Sequence, residues 1–185
     1  MFTLSMSPEA RFMSDRPASR TIRVLLVEDN PIDVMMAKEA FKEGAIDAVL
    51  VVVEDGMQAT EYLRQQGKYG TACLPDLILL DLNLPKKNGR EVLAEIKADP
   101  KLQHIPVVVF SGSSDEFDVR DCYNLHANCY IVKPSHLDDY MSALKSLDRF
   151  WFDLVRLPVP AGVCKHYSDS PSTDGRGDGN GIREC

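Results

Sequence analysis

Short, nearly continuous apolar runs alternate along this chain with stretches whose apolar residues recur every three or four positions. The runs Thr21–Val27, Val49–Val53, Leu77–Leu80, Ile105–Phe110 and Cys129–Val132 lack the in–out alternation of a half-wet strand. They have the pattern of strands buried on both faces of a sheet. The stretches between them predict helices. Asn30-Pro31 is an N-cap followed by proline at the first helical position, with Val34, Met35, Ala37 and Phe41 as the apolar face and Gly44 as the stop. Asp55-Gly56 opens a helix through Ala59, Tyr62 and Leu63 that ends near Gly67. Arg90 to Asp99 carries Val92, Leu93 and Ile96, and Pro100 closes it. Ser113 and Glu116 have the spacing of a capping box for the next helix, and Ser135 is the expected cap of a last helix from about His136.

Five β-then-α units with short connections predict an α/β fold: a five-stranded parallel sheet, doubly wound, with helices on both faces. Right-handed crossovers then favour the flavodoxin-like strand order. Residues 1–20 mix Ser, Pro and Arg without periodicity and are expected to be a flexible arm. The folded domain is expected over 21–157, with an extended C-terminal helix. From Pro158 to Cys185 the chain is interrupted by Pro160 and Gly162 and turns rich in Ser, Asp and Gly, the composition of a disordered tail.

Hydrophobic residues make up 44% of the chain, enough for a core. A net charge of −7 argues against nucleic acid as the main partner, because phosphate binding needs a basic surface. No apolar run approaches the roughly 20 residues of a membrane span, and the N-terminus lacks the apolar core of a secretory signal, so a cytoplasmic location is expected. Cys73, Cys122, Cys129, Cys164 and Cys185 show no CxxC spacing and an odd count, which predicts reduced thiols. His104, His126, His136 and His166 have no ligand spacing. Lys86-Lys87 has the look of a solvated loop.

The chemistry gathers where the strands end. The first runs into Glu28-Asp29, the third into Asp81, the fourth into Ser111 and the fifth into Lys133. In a parallel sheet these endings share one edge, the edge where ligands collect. Pro85 and Asn88-Gly89 ensure that Asp81 sits where a buried strand opens into a loop. Clustered carboxylates repel when partly buried and need compensation. A divalent cation and a lysine supply it together, and hard oxygen ligands select Mg²⁺. Asp29 and Asp81 are the expected direct ligands, with the backbone carbonyl of Asn83 a third and Glu28 acting through water. Such a site suits phosphoryl transfer, with Asp81 as nucleophile, Lys133 stabilising the equatorial oxygens and Ser111 bonding a phosphoryl oxygen.

Val27-Glu28-Asp29-Asn30, Leu80-Asp81-Leu82-Asn83-Leu84-Pro85 with Gly89, Phe110-Ser111-Gly112 and Tyr130-Ile131-Val132-Lys133-Pro134 together resemble the motifs of response-regulator receiver domains over about residues 21–150. The resemblance implies that Asp81 is the phosphoacceptor, Glu28 and Asp29 the acidic pair, Ser111 the switch hydroxyl, Tyr130 the switch aromatic and Lys133 the charge partner. It also implies a cis Lys133–Pro134 bond. Ser111 departs from the commoner threonine but keeps the hydroxyl. The segments Leu82–Leu93 and His126–Tyr130 are similar to single-domain regulators paired with phytochrome histidine kinases, which implies such a kinase as partner. With no output domain expected after residue 157, the signal is expected to leave by protein contact or onward phosphotransfer.

Two other readings compete with this one. A phosphatase of the haloacid dehalogenase type also uses a strand-end Asp and Mg²⁺, but needs a second Asp two residues on, where Asn83 stands. An inert scaffold would lack the acidic pair or the lysine.

The last helix carries Leu137, Tyr140, Leu144, Leu147, Trp151 and Leu154 on one stripe. A helix of ~18 residues runs roughly 27 Å, against roughly 17 Å for a five-residue strand. Its end should therefore outrun the sheet and present Phe150, Trp151, Phe152 and Leu154 as a homodimer interface.

Overall fold

The computed structural model describes residues 21–43 and 48–158. The expected arm and nearly all of the expected tail lie outside them, as does Gly44.

Five parallel strands, β1 (Ile22–Val27), β2 (Ala48–Val53), β3 (Leu77–Leu80), β4 (Val107–Ser111) and β5 (Cys129–Val132), form one sheet in the order β2-β1-β3-β4-β5. The helices α1 (Pro31–Glu43), α2 (Gly56–Leu63), α3 (Gly89–Ala98), α4 (Glu116–Asn124) and α5 (Leu137–Asp148) alternate with them. Successive side chains of the apolar strands point to opposite faces, so one run fills two cores. Leu25, Val27, Ile78, Leu80, Val107 and Val109 pack beneath α2, α3 and α4. Val24, Leu26, Leu77, Leu79, Val108 and Phe110 pack beneath α1 and α5. The doubly wound expectation is met, and β3 is buried along its whole length.

Parallel pairing also fixes where the strands stop. Val27 lies beside both Val53 and Leu80, and Ser111 beside Val132. The ladder runs one step further at each ending: Glu28 N–H donates to Val53 O at 3.0 Å, Asp81 N–H to Val27 O at 3.0 Å and Lys133 N–H to Ser111 O at 2.8 Å. Backbone hydrogen bonds therefore hold the three polar side chains at one height along the sheet.

The helix signals were right about existence and less so about caps. Asn30 caps α1, its side chain accepting from Ile32 N–H at 2.9 Å. Met35, expected inside, is exposed; Val34 and Ala37 turn inward with Ala40 and Phe41. Asn88 and Glu91 make a reciprocal capping box at the start of α3. The box expected of Ser113 and Glu116 does not form: Asp115 is the cap of α4, while Ser113 Oγ donates to Asp118 at 2.6 Å. Ser135 does not cap α5 either, since His136 occupies that position without a side-chain bond.

The C-terminal stripe is corrected in part. After Asp148 the backbone widens into a π-helical turn, Arg149–Leu154, which rotates successive residues away from an α-helical stripe. Trp151 and Phe152 are buried in the core, with the Phe152 ring 6.3 Å from that of Phe41. Each such burial is worth roughly 1.5–3 kcal/mol, enough to hold the segment against the domain. Only Phe150 and Leu154 of the expected patch stay outside, 50% and 67% exposed.

Cys122 and Cys129 are free thiols, as expected, whereas Cys73 is disulfide-bonded. The Lys133–Pro134 peptide is trans, since no cis bond occurs among the described residues. Trans is the lower-energy isomer by about 0.5–1 kcal/mol for bonds to proline.

Candidate functional site

The strand endings converge on one ammonium. Lys133 Nζ donates to Glu28 Oε2 at 2.6 Å, Asp33 Oδ2 at 2.8 Å and Asp81 Oδ2 at 2.8 Å. Lys133 and Glu28 are 105 positions apart in sequence, and only the parallel topology brings them together. All four side chains are largely buried. Burial alone would lower the lysine's pKa, but hydrogen bonds to Asp33, Asp81 and Glu28 raise it above the usual lysine range. Burial pushes the Glu28 carboxyl up to about 7, against the opposing pull of Lys133 and of the Asn30 N–H that bonds it at 3.1 Å.

Asp81 has its second oxygen turned to the loop, where Asn83 N–H donates to Oδ1 at 3.2 Å. Asp29 is exposed at the rim. One oxygen each from Glu28, Asp29 and Asp81 lies within 4.8 Å of the others. Three hard, anionic oxygens this close, with one lysine to share, are a donor set for a divalent cation and a poor one for softer metals. The residues present fit the metal that the motif implies. No histidine belongs to this cluster.

Ser111 is fully buried at the end of β4, and its hydroxyl has no hydrogen-bond partner. A buried hydroxyl left unbonded costs free energy, so a group that accepts from it is stabilised at this spot. Tyr130 Oη donates to Ser113 O at 2.9 Å, across the β4–α4 connection. Every residue expected at the site is thus at the C-terminal edge of the sheet, and Glu28, Asp81 and Lys133 are in direct contact or share a partner.

Three contributors were missed. Asp33 binds Lys133 as closely as Asp81 does. Its signal was available: an acidic residue in the first turn of a helix that opens at this edge. Lys86 and Lys87, expected to be solvated, are tied down. Lys86 pairs with Asp55 at 2.5 Å. Lys87 pairs with Glu95 at 2.5 Å and donates to Thr60 Oγ1 at 3.0 Å. Burial works against ionisation of Asp55, yet Lys86 and two bonds from Gln58 hold its carboxyl at about 2. The partners of both lysines lie at the cap of α2 and on α2 and α3, distant in sequence, which is why the Lys-Lys pair alone suggested only solvent.

A parallel β2-β1-β3-β4-β5 sheet bearing an acidic trio, a lysine and a buried hydroxyl at its C-terminal edge is a phosphorylation switch in outline. The family model "Response regulator receiver domain" matches residues 24–145, and the chain belongs to that family. Among its relatives, the response regulator Rcp1 of Synechocystis is 48% identical over 136 residues, covering 74% of this chain and 92% of Rcp1. The crystal structure of the phosphorylated cyanobacterial phytochrome response regulator RcpA superposes with a TM-score of 0.74 at 49% identity, covering 76% of this chain and 100% of RcpA. The Mn²⁺-bound form of Rcp1 gives a TM-score of 0.73 at 47% identity, covering 75% of this chain and 99% of Rcp1. The chain is therefore a response regulator, a signalling switch whose family binds a divalent metal. None of its described helices is long and apolar enough to cross a membrane.

Proposed function

We propose that this response regulator takes a phosphoryl group from the phosphohistidine of a partner kinase onto Asp81, in the cytoplasm, and signals by protein contact. The observation that carries the reading is the contact of Lys133 Nζ with Asp81 Oδ2 at 2.8 Å beside the Glu28–Asp29 pair. An oxygen of Asp81 attacks phosphorus as the P–N bond to the donor imidazole breaks. The imidazole leaves as the neutral ring, and Asp81 becomes an acyl phosphate. Lys133 stays beside the attacking carboxylate and neutralises charge on the equatorial oxygens. Glu28, Asp29, Asp81 and the backbone carbonyl of Asn83 would hold Mg²⁺, which when bound offsets the remaining negative charge of the phosphoryl group. Ser111 then donates to a phosphoryl oxygen. Tyr130 releases Ser113 and turns inward, so the surface over β4, α4 and β5 changes.

Asn83 stands where a dehalogenase-type phosphatase needs its general acid, and it offers Asp81 only its backbone N–H. This supports a switch over a hydrolase. Resemblance to Rcp1 and RcpA supports a phytochrome-type histidine kinase as donor. Incubated with an ATP-charged cyanobacterial phytochrome kinase and Mg²⁺, the protein is expected to take up label within minutes, and from an unrelated kinase at least tenfold more slowly. Equal rates from both kinases would refute the phytochrome assignment.

Phe150 and Leu154 are the surface proposed for homodimerisation. Truncation after Asp148 would strip Trp151 and Phe152 from the core as well, so point variants are the cleaner probe. Sedimentation of the F150S/L154S variant is expected to show a monomer where the parent self-associates with rising concentration. A monomeric parent, with or without phosphorylation, would end the dimer proposal.

A further inference from the structure

The segment between Asp81 and α3 has to do something unusual: it offers the cation a backbone atom, the Asn83 carbonyl. A side-chain ligand can adjust its own torsions to a metal, but a carbonyl ligand is only as well placed as the loop that carries it. Something must therefore hold this loop still.

Its two ends are fastened next to Asp81. Gly89 N–H donates to Leu82 O at 2.9 Å, and Asn83 N–H to the Asp81 carboxylate at 3.2 Å. Its middle turns sharply, with Lys86 at a φ of +65°, a conformation unfavourable for a residue bearing a Cβ. Just past that turn the loop backbone lies flat on the start of α2: a Cβ at Gly56 would come within 2.2 Å of Lys87 O. The Lys87 side chain, only 12% exposed, runs back between two helices. Its ammonium meets Glu95 of α3 at 2.5 Å and Thr60 of α2 at 3.0 Å. Thr60 in turn donates to Gly56 O at 2.9 Å, and the other Glu95 oxygen accepts from Arg64 at 3.2 Å. Lys86 adds a more exposed tie to Asp55, the cap of α2. A long cation loses much rotamer freedom when drawn in like this, and ion pairs left in solvent contribute little. The enclosed Lys87 is thus the effective anchor and Lys86 the auxiliary one.

We propose that Lys87 is a positioning residue for the cation site: by joining Thr60 and Glu95 it fixes the loop so that the Asn83 carbonyl is presented beside Asp29 and Asp81. The proposal rests on the assignment of Glu28, Asp29 and Asp81 as the cation site. Its experiment is titration of the full chain with Mn²⁺ alone, followed by calorimetry, with thermal melting in chelator as a separate measure of folding. Lys87→Met keeps the aliphatic stem and removes the donor. It is expected to raise the Mn²⁺ Kd about tenfold, at the low end of what loss of a supporting partner costs a metal site, with a melting shift in chelator of only a few degrees. Glu95→Gln acts on the same bond from the other side and is expected to raise Kd less. The double variant should bind no worse than Lys87→Met, because the two changes remove one interaction. Lys101→Met, on an exposed turn, is expected to leave Kd unchanged.

If Lys87→Met and Glu95→Gln bind Mn²⁺ within twofold of the parent while Asp29→Ala abolishes binding, the cation site stands and the role of Lys87 is overturned. A fall in melting temperature with unchanged Kd overturns it equally, since a merely structural contact moves only the first. If Asp29→Ala binds as the parent does, the site assignment and the role of Lys87 fall together. Should Lys87→Met not fold, Glu95→Gln decides the question alone.

Discussion

Asp81→Asn is expected to abolish phosphoryl uptake from a small phosphodonor in Mg²⁺, where the parent forms a hydroxylamine-sensitive adduct. The amide is nearly isosteric, so the strand and its backbone bond to Val27 should survive. What it lacks is the anionic oxygen that attacks phosphorus and that Lys133 holds at 2.8 Å. Loss of the nucleophile should lower labelling by more than about a hundredfold, beyond any indirect effect on positioning. The variant also has one negative charge fewer among side chains that share a single buried cation. Its stability without metal should therefore match or slightly exceed that of the parent. Persistent labelling of Asp81→Asn at the parent's rate would remove Asp81 from the mechanism.

Lys133→Met is the second large effect, and it should appear in both stability and rate. The ammonium is the shared partner of Glu28, Asp33 and Asp81. Taking it away leaves carboxylates facing one another with little solvent between them. Breaking a buried charge pair from one side costs about 3–5 kcal/mol. A domain of this size responds with roughly 2–4 °C of melting temperature per kcal/mol. A drop of roughly 10 °C is expected, part of it recovered on adding a divalent cation, because the cation replaces the lost positive charge. Phosphorylation from the small phosphodonor should slow by about 10²–10³, the usual cost of removing a preorganised electrostatic partner. Unchanged melting together with a rate within threefold of the parent would show that the lysine is a bystander.

Much of this was legible in the sequence, for identifiable reasons. The sheet was legible because β3 and its neighbours are buried on both faces, and burial on both faces writes itself as unbroken apolar runs. The site was legible because strand endings in a parallel sheet must share an edge, so Glu28, Asp81, Ser111 and Lys133 could be placed together from their positions in the chain. What escaped depends on contacts between elements. Asp33 and Lys87 show their partners only once helices are packed. The caps of α4 and α5 were misassigned because Ser113 found a better acceptor in Asp118 and because His136 begins α5 without a side-chain bond. The C-terminal stripe failed for a different reason: a π-helical turn breaks the α-helical period on which the extrapolation past Asp148 rested.

At Gly89, the first residue of α3, an added Cβ would lie 2.1 Å from the carbonyl oxygen of Asp81. The helix thus starts against the peptide of the reacting residue, with no side chain cushioning the contact. Two surfaces touching this closely behave like meshed gears. Any shift of the Asp81 main chain on phosphorylation must either be absorbed within β3 or be passed at once to the first turn of α3. β3 is locked between β1 and β4 and buried along its whole length, so the softer side of the contact is the helix. α3 is thereby the part of the molecule geared most directly to the reacting carboxylate.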